Sequence, residues 1–257
     1  MRIGIVGSGN VATHLGRALV NAGHQVVAVC SRTEQNAARL AHQLGARAIT
    51  DPADMPADIC DVVLIAVSDR AVASVSQTLP VSAAIVAHTS GSIPLETIAA
   101  RHSRAGVFYP LQTFSRQADV DFSTIPLFIE GTDDAVSNEL TALASLLSHS
   151  VHYADSEVRS RLHIAGVLSS NFPIYLLEMT REVLGDIPLN VVEPLAFASL
   201  QKAFAMGPAD ALTGPARRGD VAVVKRQAEA LPEGLSRRIY LDISQAILNK
   251  YYTDIKL

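Results

Sequence analysis

Apolar positions recur along this chain in two rhythms. In the first part, short apolar runs alternate with stretches of three- and four-residue spacing, the pattern of strands separated by helices. The expected strands are Ile3-Gly4-Ile5-Val6, Gln25 to Cys30, Ala46 to Ile49, Asp61 to Val67, Ala83 to Ala87, Gly106 to Tyr109, Leu127 to Glu130 and Val151 to Tyr153. Between them, helices are expected over Asn10 to Asn21, Glu34 to Gln43, Asp69 to Thr78, Pro94 to Arg101 and Asp134 to Leu147. The run DVVLIAV, apolar after its first residue and rich in β-branched side chains, reads as a buried parallel strand. From Asp155 onward no convincing strand appears. Val158, Leu162, Ala165, Leu168, Phe172, Leu176, Met179 and Val183 predict one long helix, kinked by Pro173. Asn190 with Glu193 suggests a capping box for a helix ending at Gly207-Pro208. Asp220 can cap a helix to about Leu231, and another runs from Ser236 to about Tyr251.

The expected fold is therefore α/β: an N-terminal doubly wound, mostly parallel sheet over residues 1–153, then an all-helical half over 154–257. The first thirty residues make the sheet more specific. A strand ends on Gly7-Ser8-Gly9, a helix follows from Asn10, and a second strand closes the unit, the Rossmann βαβ arrangement that holds a dinucleotide diphosphate. Gly7 permits the sharp turn, Gly9 lets the backbone approach the phosphates, and Ala12 takes the third, small position. The candidate cofactor loop is thus Gly7, Ser8, Gly9, Asn10, Val11 and Ala12. The end of the second strand reads Cys30-Ser31-Arg32-Thr33, without the acid that holds a ribose diol in NAD sites. Ser31 and Thr33 offer hydroxyls, and Arg32 offers a fork suited to a phosphate, so NADP(H) is expected over NAD(H). The bland alternative for Arg32 is a solvated charge opening the next helix.

Ligands of open α/β sheets gather beyond the carboxyl ends of the strands. Three segments follow strands there: Val67-Ser68-Asp69, His88-Thr89-Ser90-Gly91 and Tyr109 to Phe114, with Gln112 a candidate substrate contact. All three segments are expected to meet at the nicotinamide end, with Val67, Ser68, Asp69, His88, Thr89 and Ser90 as cofactor contacts. Ser68 and Asp69 would otherwise only cap a helix. His88 is the pointed catalytic candidate, because imidazole relays protons near neutral pH, or else a structural histidine shaping its turn. On the long helix His163, Ser170 and Asn171 make a polar stripe that suggests an interdomain cleft. Asn171 either fixes a substrate carbonyl or eases the kink at Pro173. Lys202, within an otherwise apolar helix, is a candidate to polarise a carbonyl, or a solvated side chain. Arg217 and Arg218, between two glycines, suit a substrate carboxylate or a surface turn.

Composition narrows the class further. The chain has 257 residues, 49% hydrophobic and 18% charged, with a formal net charge of −4, which disfavours nucleic acid and anionic membrane surfaces as partners. No apolar run reaches the length of a membrane span, no leader is evident, and two cysteines suit reduced thiols, so a cytoplasmic protein is expected. No metal-ligand pattern appears. The long apolar helices exceed what one layer can cover and suggest a homodimer through the second half.

GSGNVATHL, VSDRAV, HTSGS, FYPLQTF, SSNFPIYL and LTGPARRGD together resemble the Rossmann-like proteins that carry a C-terminal domain of unknown function, DUF2520. The resemblance covers nearly the whole chain and is sharpest at PLQTF and LTGPARRGD. It implies an NADP-linked oxidoreductase. More distantly the chain is similar to pyrroline-5-carboxylate reductase, ketopantoate reductase and the β-hydroxyacid dehydrogenases, which join a Rossmann domain to a helical domain that often dimerises. Ketopantoate reductases use a lysine and an asparagine on helices of the second domain; Asn171 and Lys202 stand here in the reverse order, so those roles are not carried over. The dehydrogenase pattern of lysine followed four residues later by asparagine is absent, since position 167 is valine. The expected activity is hydride transfer between a nicotinamide and a small carbonyl, imine or hydroxy acid. A non-catalytic NADP(H) sensor and a deazaflavin-linked NADP reductase are the alternatives.

Overall fold

The computed structural model describes residues 1–115 and 120–257. The first part builds an eight-stranded sheet from β1 (Arg2–Val6), β2 (Gln25–Cys30), β3 (Arg47–Ile49), β4 (Val62–Ile65), β5 (Ile85–His88), β6 (Ala105–Pro110), β7 (Leu127–Gly131) and β8 (Val151–Tyr153). Interleaved are α1 (Asn10–Asn21), α2 (Glu34–Leu44), α3 (Asp69–Thr78), α4 (Glu96–Ala99) and α5 (Asp134–Ser145). The strand order is β3-β2-β1-β4-β5-β6-β7-β8, and only the β6–β7 pairing is antiparallel. The sequence pattern anticipated every strand, with ends shifted by a few residues. The expected helix from Pro94 is only a short segment, α4.

Alternation along the strands divides the core into two layers. Ile3, Ile5, Leu64, Ile85 and Phe108 face one side with Leu15, Leu19, Leu40 and Leu140 of α1, α2 and α5. Val63, Ile65, Val86 and Val107 face the other with Val72 of α3 and Ile98 of α4. Each such fully buried side chain contributes roughly 1.5–3 kcal/mol. Both faces are covered, which is why the central strands read as unbroken apolar runs.

The chain divides into two compact units, Met1–Asn171 and Phe172–Leu257. The first runs past residue 153, where the strands end, because the helix α6 (Ser156–Gly166) is bonded to the sheet through Arg159. This guanidinium is fully buried; Nη1 pairs with the Glu130 carboxylate on β7, and Nη2 donates to the Ile93 carbonyl at 2.7 Å. Asp155 caps α6 by accepting from the Val158 amide at 2.8 Å.

The predicted long helix is interrupted. Residues Val167–Asn171 form a π-helical turn, and α7 (Phe172–Leu184) follows. Pro173 has no N–H to continue the i→i−4 ladder, and the wider turn before it absorbs the break. Ser170 Oγ donates to the Gly166 carbonyl at 2.6 Å within that turn.

The second unit continues with α8 (Glu193–Met206), α9 (Pro208–Ala211), α10 (Pro215–Arg218), α11 (Val221–Ala230) and α12 (Leu235–Tyr251). The capping box does not form. A 3₁₀ turn, Leu189–Val192, leads into α8, whose start has no side-chain cap. Asp220 does cap α11 through the Val223 amide at 3.3 Å. Ala216, Val224 and Leu248 form a small core. No single helix among the described residues is long and apolar enough to cross a membrane.

Candidate cofactor and substrate site

The carboxyl ends of β1, β4, β5 and β6 lie side by side, with Val6 beside Ile65, Ile65 beside His88, and His88 beside Val107. Gly7 leaves β1 at φ +130°, and a Cβ there would lie 2.0 Å from the Ala66 carbonyl oxygen. No other residue fits that turn. Its amide donates to the Cys30 carbonyl at 2.8 Å, tying the loop to β2. Gly9 is the N-cap of α1; a Cβ built on it meets nothing within 4 Å. The first turn of α1 has neither a side-chain cap nor an acidic residue, so its amides remain available to an anion. Ala12 is fully buried at the third position. The open space before a bare helix start fits the diphosphate of a dinucleotide.

Ser8 Oγ and Ser31 Oγ lie 2.7 Å apart, joining this loop to the end of β2. Arg32 and Thr33 are exposed beyond it. The Thr33 hydroxyl accepts from Asn36 Nδ2 at 2.8 Å. Val11 packs on the sheet core. Asn10 Nδ2 donates to the Phe114 carbonyl at 2.7 Å, and His14 Nε2 meets the Ser115 carbonyl at 2.8 Å. The side chain of Asn10 thus holds the loop after β6, a use its place in the glycine motif does not suggest.

The segments after β4 and β5 brace each other. Val67 is half-buried; Ser68 precedes α3 without a side-chain cap, contrary to the capping reading. Asp69 Oδ2 accepts from Ser92 Oγ at 2.5 Å. Ser90 Oγ accepts from the Ser92 and Ile93 amides, both at 3.1 Å. Thr89 and Ser90 are buried. His88 is fully buried; its Nδ1 accepts from the Ser90 amide at 3.2 Å, and its Nε2 has no partner among the described residues. Burial, followed by the nearby Arg159 charge, pushes its pKa down to about 4. His88 is thus buried and hydrogen-bonded to its own turn.

A second group of polar side chains gathers at the end of β6. A cavity of about 360 Å³ is lined there by Tyr109, Gln112, His163, Ser170 and Asn171 among others. Tyr109 Oη lies 3.2 Å from His163 Nδ1. Burial raises the Tyr109 pKa, with Asp69 adding to the shift and Arg159 opposing it. The cavity brings together Gln112, His163, Ser170 and Asn171 as a set. It adds Tyr109, whose segment FYPLQTF was visible in sequence without any sign that its phenol would meet a histidine 54 residues on.

Lys202 is exposed on α8, in the second unit. Arg217 and Arg218 line a separate cavity of about 540 Å³ with Asp210, Thr213 and Tyr252. The Arg217 guanidinium lies 3.8 Å from the centroid of the Tyr251 ring, a cation–π contact that occupies one of the two arginines.

Residues 2–88 match the family model described as NADP oxidoreductase, coenzyme F420-dependent, and residues 125–247 match the domain of unknown function DUF2520. No curated protein matches. A candidate NADP oxidoreductase from Bacteroides fragilis is 34% identical, with 96% of this chain and 98% of that one covered and a TM-score of 0.88. An imine reductase from Myxococcus stipitatus, in complex with NADP+, is 17% identical over 97% of this chain and 92% of that one, with a TM-score of 0.64. A 1-pyrroline-5-carboxylate reductase from Streptococcus pyogenes is 18% identical over 98% of both chains, with a TM-score of 0.63. The last two share the fold. The Bacteroides protein, at its identity and coverage, shares the family, and the chain belongs to the NADP oxidoreductases that join a Rossmann domain to a C-terminal DUF2520 domain.

Proposed function

We propose that this oxidoreductase uses NADP(H) to interconvert a small imine or carbonyl compound and its reduced amine or alcohol. The observation that carries the reading is the bare turn at Gly7–Gly9, opening onto a helix start with uncapped amides. NADPH held there would supply a hydride to a substrate carbon. The protein's part is to hold the diphosphate on the α1 amides and the 2′-phosphate on Arg32, and to seat substrate where a proton is available. Gln112, Ser170 and Asn171, in the cavity after β6, offer amide and hydroxyl groups for that seating. The imine reductase found with NADP+ and the pyrroline-5-carboxylate reductase share the fold and support a C=N or C=O substrate class.

Calorimetry with NADPH and NADH tests the cofactor reading. Arg32→Ala is expected to weaken NADPH roughly ten- to hundredfold, the worth of a charge-assisted hydrogen bond, and to leave NADH nearly unchanged. Gly9→Val should abolish binding of both, because its side chain enters the diphosphate space. Equal losses for the two nucleotides in Arg32→Ala, or retained affinity in Gly9→Val, would overturn the assignment.

Two further features support parts of the picture. Leu195, Phe197 and Phe204 on α8 are 69%, 59% and 87% exposed, far more apolar surface than water-facing helices carry, and favour a homodimer through the helical half. Cys30 and Cys60 are both free and buried, which suits a reducing, cytoplasmic compartment.

A further inference from the structure

Resting on the reductase reading above, we propose that Tyr109 and His163 act as a proton-donating couple in the cavity after β6. Tyr109 delivers the proton to substrate and His163 replaces it. Both side chains line that cavity, and their polar atoms lie 3.2 Å apart. The rings are tilted by 59° with centroids 6.3 Å apart, so the contact is a hydrogen bond and not a stack.

The couple is held from several sides. A Cβ on Gly91 would lie 2.6 Å from Tyr109 Cζ and 2.8 Å from its Oη, so the backbone of the HTSGS segment is pressed against the phenol. This gives a reason for glycine there that the turn alone does not supply. Phe128 flanks the same ring at 6.3 Å. On the other side, His163 lies one helical turn beyond Arg159, whose buried pairing with Glu130 fixes the rotation of α6. A tie serving structure alone would not need to face a cavity rimmed by Ser169, Ser170 and Asn171.

The charged and titratable groups facing the phenol are His163, Asp69 and Arg159. Burial keeps the phenol protonated, and a neutral phenol is a weak acid on its own. Coupling to an imidazolium removes that limit. In the reducing direction, the substrate's C=N or C=O carbon takes the hydride, and the π electron pair moves onto nitrogen or oxygen. That atom takes the proton of Tyr109 Oη. The Nδ1–H bond of protonated His163 breaks and its proton restores the phenol, leaving a neutral imidazole protonated at Nε2. Substrate gains two electrons and two hydrogens, NADPH becomes NADP+, and partly exposed His163 takes a proton back from water.

The test uses full-length protein with Tyr109→Phe and His163→Gln. NADPH affinity is read by its fluorescence. Oxidation of NADPH is then followed with 1-pyrroline, 2-methyl-1-pyrroline, pyruvate and 2-oxobutyrate. Tyr109→Phe is expected to keep NADPH affinity and lose 10²–10⁴-fold in kcat, with a larger solvent isotope effect as proton transfer becomes limiting. His163→Gln should lower kcat while keeping NADPH affinity. In the ¹⁵N spectrum of labelled histidine, the His163 Nδ1 resonance should move in Tyr109→Phe. A Tyr109→Phe variant within threefold of wild type, or an unmoved resonance, overturns the couple and leaves the reductase reading intact. Wild-type protein that fails to bind NADPH overturns the cofactor reading itself. Binding without reduction of any probe counts against both.

Discussion

At the scale of single residues, position within a motif and burial can point in opposite directions, and His88 is the clearest case. It ends β5 beside the cofactor loop, yet it is sealed, neutral and bonded to its own turn. Its pKa is lowered to about 4, below the ordinary value of 6.5, so the unfolded chain binds the proton more readily. The stabilisation is complete above pH 6.5 and drains away as pH falls toward 4, about 3 kcal/mol in all by linkage. Urea unfolding at pH 7 and pH 4.5 should therefore show a loss of stability on acidification that is smaller in His88→Gln. An equal loss in the variant would mean that some other group titrates. Gly7 and Gly9 differ in the same instructive way. One is required by the fold, where a Cβ would strike the Ala66 carbonyl, and the other borders open space, where a Cβ would meet nothing within 4 Å. Both glycines were legible in sequence because their chemistry is local. The Tyr109–His163 contact was not, because it joins two segments that no spacing rule connects.

At the scale of elements, hydrophobic rhythm located every strand, since burial on both faces leaves a run of apolar residues that few other structures need. Helix ends were harder to read. Ser68 and Asn190 have the composition of caps without making the bonds, while Asp133, Asp155 and Asp220 accept from amides three residues on. The π turn before Pro173 was hidden because a proline predicts a break and not the form it takes. The first unit, which reaches to Asn171, includes α6, and a buried ion pair joins that helix to β7. Arg159 is a single charge among helical positions in sequence, yet it joins α6 to β7 and to the loop at Ile93. Arg159→Met should cost about 3–5 kcal/mol, since Glu130 is left buried without its partner. Adding Glu130→Met should recover much of that loss in chemical denaturation, because two apolar side chains need no pairing. A double variant no more stable than the single one would show that the other bonds of Arg159, to backbone carbonyls, carry the effect. The single variant should also lower turnover more than NADPH affinity, as α6 carries His163 and not the diphosphate loop.

At the scale of the whole molecule, the distribution of apolar surface is uneven. The sheet buries its large hydrophobic side chains in two layers, whereas α7 and α8 display Phe172, Ile174, Leu195, Phe197, Leu200 and Phe204 to solvent. A monomer rarely leaves so many large apolar side chains uncovered on two successive long helices. A second copy of the same helices is the simplest cover, because closed two-fold pairing buries identical patches on both chains and leaves no open end. Sedimentation at micromolar concentration should then give twice the 27.3 kDa chain mass. Phe204→Glu, at the most exposed of these positions, places a charge where the partner would remove water, and should shift the equilibrium toward monomer by at least tenfold in Kd. The fold of the first unit should survive, because its core is separate, and NADPH affinity should stay within threefold of wild type. A wild-type chain that sediments as a monomer at every concentration would leave that apolar surface without this explanation. A variant that dimerises as tightly as wild type would place the contact elsewhere on the helical half.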